Sequence, residues 1–63
     1  MNKNQLIVIK WLSNTGQNFL SDIVELEGAF DCVPGDVAEA FASLSDREKI
    51  EVIQKAANNL LYQ

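Results

Sequence analysis

Pro34 to Leu61 reads PGDVAEAFASLSDREKIEVIQKAANNLL, and its spacing decides the fold class. Proline has a fixed φ and no N–H, so Pro34 suits the first position of a helix, with Asp36 following in the first turn at the positive end of the helix dipole. Val37, Ala40, Phe41 and Leu44 then recur at i, i+3, i+4 and i+7, which is one helical face. Ser45 and Glu48 form an S-x-x-E capping box, each side chain answering the other's backbone N–H at the start of a further helix. Behind it Ile50, Ile53, Ala57 and Leu60 keep the same period and are expected to face the core. Glu51 and Lys55 are expected to pair on the exposed side.

Working upstream, Phe19, Leu20, Ile23, Val24, Leu26 and Phe30 also recur at three and four. They predict an amphipathic helix that ends near Gly28 to Asp31, where glycine and a pre-proline segment stop propagation. Its apolar arc is about 160° wide, more than the ~100° stripe that one core face requires. Part of this arc is therefore a candidate contact surface, although a very small core also has reason to use every large side chain. Ser13-Asn14-Thr15-Gly16 separates this helix from a first segment, Asn4 to about Ser13. Leu6, Ile7, Val8 and Ile9 are contiguous there, and three of the four are β-branched, so a strand is the rival reading. Helix is favoured because no second strand-like run exists to take up its backbone hydrogen bonds. The expectation is an all-α fold, a single small helical domain over residues 1–63 built as a compact bundle of about four short helices.

A core of this size rarely supplies more than ~3–5 kcal/mol of net stability, so a partner or self-association is a live expectation. With 48% hydrophobic residues, one Pro and three Gly, the chain is too apolar and too poor in breakers to stay disordered. Cys32 is the only cysteine, which excludes an internal disulfide and fits a reducing cytoplasm. The apolar run Leu6 to Ile9 ends at Lys10, far short of the ~20 residues of a membrane span and unlike a signal-peptide core.

The formal charge is −4, unevenly spread. Between Lys10 and Arg47 there is no Lys or Arg, while Asp22, Glu25, Glu27, Asp31, Asp36, Glu39 and Asp46 all fall in that interval. Such a stretch attracts basic partners and repels phosphates and anionic membranes; the plainer reading is a solvated face.

The chain has no histidine, and so lacks the commonest general base and metal ligand. It has no Gly-rich phosphate loop, no G-x-S-x-G elbow and no calcium-loop spacing. Cys32 precedes a helix start, which favours a thiolate, but carboxylates surround it in sequence, and a structural thiol is the favoured reading. Catalysis, a cofactor and a metal site are therefore not expected.

Glu27 falls at about 100° per residue among Leu20, Ile23 and Val24, inside the apolar arc. Either it lies at the core rim, reaching water or the Trp11 indole, or it belongs to an interaction face and meets a partner's Arg or Lys. Trp11 divides in the same way, with a core anchor favoured over an exposed binding anchor. The candidate partner-binding residues are Leu20, Asp22, Val24, Glu25, Glu27, Asp31, Asp36 and Glu39, with the carboxylates of the second and third helices forming a single-sign surface.

Asn4 to Leu12, NQLIVIKWL, and Ala40 to Leu61, AFASLSDREKIEVIQKAANNLL, resemble small early-region proteins of phages and prophages of Gram-positive bacteria. The likeness covers about half the chain, consists of helix-forming patterns without a diagnostic motif, and carries no catalytic residues. It implies a setting in the host cytosol, where small acidic phage proteins act as inhibitors of host enzymes or immune nucleases, anti-CRISPR proteins among them. Some of those imitate DNA, but seven carboxylates are few for a full duplex mimic.

The leading expectation is a stoichiometric inhibitor or modulator of a protein with a basic surface, such as a nucleic-acid-binding enzyme, with no direct nucleic-acid or membrane binding. The alternative is a homodimer or larger assembly packed through the wide apolar arc. A helix-turn-helix carrying Arg47, Lys49 and Lys55 is a third reading, with the net charge against it.

Overall fold

Two capping boxes organise the molecule. In the computed structural model Asn2 and Ser45 are the N-caps of helices α1 (Lys3–Ser13) and α4 (Asp46–Leu61). Ser45 Oγ accepts from the Glu48 N–H at 3.2 Å, and Glu48 Oε1 accepts from the Ser45 N–H at 2.8 Å, as its spacing predicts. At α1 the same device is built from amides. Asn2 Oδ1 accepts from the Gln5 N–H at 2.9 Å and Gln5 Oε1 from the Asn2 N–H at 3.0 Å, so the helix starts one residue before the expected Asn4. Losing the Ser45 hydroxyl costs about 1 kcal/mol by the usual worth of an N-cap. Ser45→Ala is accordingly expected to lower the melting temperature by about 4–8 °C, and Ser45→Asp to restore it, both read by thermal circular dichroism.

The structure describes residues 1–14, 16–29 and 33–62, Ala29 by its backbone alone; the expectations placed on Thr15, Phe30, Asp31 and Cys32 lie outside the described residues. All regular structure among them is helical, which confirms the all-α bundle and decides the first segment as helix rather than strand. After α1, Gly16 at φ +56° begins a 3₁₀ turn, Gly16–Asn18, that leads into α2 (Phe19–Val24). Glycine occupies this left-handed position without the clash a Cβ brings. A wider turn of π type follows over Glu25–Ala29, and Gly28 departs from helical geometry within it. The second helix is thus shorter than its apolar repeat suggests, and the 3.6-residue period holds only to Val24.

Helix α3 (Gly35–Ala42) has Pro34 as its N-cap, not as its first helical residue. Pro34 has φ −57° but ψ 145°, so its ring is accommodated just outside the helix. Val37, Ala40, Phe41 and Leu44 are all buried, as their spacing predicts.

Helix α1 is the hub. It packs against both α3 and α4 and touches α2, burying Val8, Ile9 and Leu12. Gln5 Nε2 donates to the Glu48 carbonyl at 3.3 Å and to Glu51 Oε1 at 3.2 Å near one end of the α1/α4 pair, and Asn59 Nδ2 donates to Ser13 Oγ at 3.1 Å near the other. Both residue numbers rise together, so α1 and α4 run parallel, unlike the first and last helices of an up-and-down bundle. Parallel neighbours bring their positive ends together. The Glu48 carboxylate sits between them, one oxygen on its own N-cap and the other accepting from Asn2 Nδ2 at 2.7 Å. This places negative charge where both macrodipoles favour it.

The contacts with α1 also choose the buried face of α4. Val52 and Ala56 are fully buried, while Ile53, Ala57 and Leu60 are half-buried and Ile50 is 66% exposed. The face predicted from Ile50, Ile53, Ala57 and Leu60 is therefore corrected: it flanks the buried one. Glu51, expected to pair along its own helix with Lys55, is engaged by Gln5 of α1. Lys49 lies with Nζ 4.9 Å from the centroid of the Phe41 ring, a cation–π contact that closes the α3/α4 corner.

Candidate functional site

The molecule measures 27 × 25 × 16 Å. Helices pack 8–10 Å apart, so a thickness of 16 Å holds two layers and every helix keeps an outward face. On α2 that face carries two apolar side chains beside the exposed Ser21. Phe19 and Ile23 are half-buried against the core and Leu26 is buried, whereas Leu20 is 75% and Val24 66% exposed. Leu20 and Val24 are one turn apart and rotated by roughly 100° from Phe19 and Ile23. The wide arc read from the sequence thus divides into a core-facing part and a solvent-facing part.

Carboxylates lie on the same segment. Glu27 is exposed, in the wider turn that follows α2. Asp22 and Glu25 are half-buried on the same segment. Asp36 and Glu39 are exposed on α3, which packs on α1 and not as a paired helix on α2. Leu20, Asp22, Val24, Glu25 and Glu27 are therefore one local constellation, and Asp36 and Glu39 stand on a separate support. Asp31, which links the two in sequence, lies outside the described residues.

A second feature escaped the sequence. An open groove of about 400 Å³ runs between the outer side of α1 and the start of α3. Ile7, Trp11 and Val37 supply apolar lining, Lys10 and Asp36 opposite charges, and Asn14 and Pro34 complete it. Trp11 packs half-buried against the core, the favoured reading, and its outer side lines this groove. Ile7 and Trp11 are four apart, a signal available in the sequence, but the facing wall comes from residues more than twenty positions away.

Among the described residues no three His, Cys, Asp or Glu side chains gather as a metal site, and no helix is long and apolar enough to cross a membrane. No protein-family model, curated protein or solved structure matches the chain.

Proposed function

We propose that this chain is a non-catalytic protein-binding module, a stoichiometric inhibitor or modulator that docks α2 and the turn after it onto a basic surface of its target. The observation that carries this reading is the exposure of Leu20 and Val24 beside Asp22, Glu25 and Glu27, in a chain with no cation between Lys10 and Arg47. Isolated exposed apolar residues are ordinary on any surface. Two on adjacent turns, with single-sign charge around them, have the anatomy of an interface: an apolar centre that excludes water and a charged rim that sets encounter and specificity.

The charge also selects the partner class. A carboxylate-rich rim attracts Arg and Lys, and proteins that handle nucleic acid present such clefts, so an anti-defence role against a nucleic-acid enzyme is the specific form of the proposal. A helix-turn-helix reading is weaker, since Lys49, one of its three cations, is half-buried over Phe41.

The test is affinity capture from host lysate with the immobilised wild type and with a Leu20→Ser/Val24→Ser variant. A partner held at low salt, released at high salt and lost with the variant is the expected result. Retention of the same proteins by both, or of none by either, would refute the assignment.

A further inference from the structure

We infer that Gly16–Ala29, the segment that carries α2, opens as a unit from a core of α1, α3 and α4 that stays folded. Burial divides the molecule in this way. Among the described residues, every buried apolar side chain except Leu26 lies on α1, α3, α4 or the turn joining the last two. Leu26 is the one anchor of the α2 segment, and Phe19 and Ile23 reach the same core only half-buried. The side-chain hydrogen bonds of Asn2 with Glu48, Gln5 with Glu51 and Asn59 with Ser13 all tie α1 to α4. Both α3 and α4 pack along α1, whereas α2 touches α1 briefly and lies along neither α3 nor α4.

The segment also has little helical stability of its own. Helices shorter than about 12–15 residues are marginal in water without tertiary packing, and α2 has six residues before the wider turn over Glu25–Ala29. Its N-cap, Asn18, makes no side-chain cap hydrogen bond, in contrast to the closed boxes at Asn2 and Ser45. Glu25 and Glu27 fall at its C-terminal end, where the macrodipole disfavours negative charge. A single buried anchor and weak local propensity together mark a segment that opens at lower free energy than the whole molecule unfolds.

Opening uncovers Phe19, Ile23 and Leu26 beside Leu20 and Val24, so the open form presents the whole apolar arc of the segment. For docking on a basic target, a consequence that rests on the function proposed above, α2 is then the part that adjusts, and binding bears the entropic cost of ordering it.

Native-state hydrogen exchange of the full chain in urea up to about 1 M tests the opening without any target. The amides of Ile23, Val24 and Glu25 are expected to be at least about tenfold less protected than those of Leu12, Val52 and Ala56, and to change little with urea, since a local opening exposes little surface. Equal protection and equal urea dependence in the two sets would overturn the inference, because the molecule would then open only as a whole. Val24→Pro gives a second reading. Val24 is 66% exposed, so the substitution acts mainly through the backbone, removing a helical N–H and crowding the carbonyl of Leu20. The variant is expected to keep the amide shifts at Val52 and Ala56 and a cooperative urea transition, and to lose no more far-UV helical signal than Phe19–Ala29 supplies. A variant unfolded throughout would also overturn the inference, since an open form more stable than the unfolded chain survives the loss of α2. Neither measurement involves a target, so this inference and the docking assignment fail separately.

Discussion

Leu12→Ala is expected to leave the protein largely unfolded at room temperature. Leu12 is fully buried in α1, the helix on which α3 and α4 both pack, so truncation opens a void with little freedom to close. Leu-to-Ala changes in such places cost about 2–5 kcal/mol. A core this small supplies only about 3–5 kcal/mol in total, so the loss is of the order of the whole. Far-UV circular dichroism during urea titration measures it directly. Leu20→Ala provides the comparison, since the same chemical change at a side chain 75% exposed should move stability by no more than about 0.5 kcal/mol. Equal losses at the two positions would show that α1 is not the hub.

The second large effect is expected at a polar residue. Gln5 is only 3% exposed, and its amide joins the N-terminus of α1 to α4. Its oxygen caps the Asn2 N–H, and its Nε2 serves both the Glu48 carbonyl and Glu51. Gln5→Ala removes all three contacts together with the packing of a buried side chain, and each hydrogen bond is worth about 0.5–1.5 kcal/mol net. At about 4–8 °C per kcal/mol for a domain of this length, the melting temperature should fall by 5 °C or more. Gln5→Glu keeps the shape and still accepts from Asn2, but it aims a carboxylate at the Glu48 carbonyl and the Glu51 carboxylate. It should therefore melt no higher than Gln5→Ala at neutral pH. Recovery of wild-type stability in Gln5→Glu would mean that the cap at Asn2, not the bridge to α4, is what matters.

The two glutamates that Gln5 and Asn2 reach show why part of this fold was hidden. The Ser45–Glu48 box is local, closing within four residues, and its spacing alone announces it. Asn2-x-x-Gln5 is the same signal written with amides and could have placed the start of α1 correctly. That Glu48 also accepts from Asn2, forty-six positions away, is beyond any local pattern.

The candidate site divides along the same line. That α2 has more apolar surface than one core face uses is legible from Phe19, Leu20, Ile23 and Val24. Which of them remain in solvent is not, because the thin two-layer packing leaves Leu20 and Val24 uncovered.

By itself the sequence determined the helical class, the turns at Gly16 and Ser45, the buried face of α3 and the cation-free interval from Lys10 to Arg47. These depend on backbone preferences and spacing within a few residues. Only the tertiary structure decided that α1 and α4 lie parallel, that α1 opens a groove toward α3, and which of two overlapping apolar arcs on α4 is buried. Val52 and Ala56 face inward because α1 meets them there. With helical spacing satisfied equally by Ile50, Ile53, Ala57 and Leu60, the choice belonged to long-range packing.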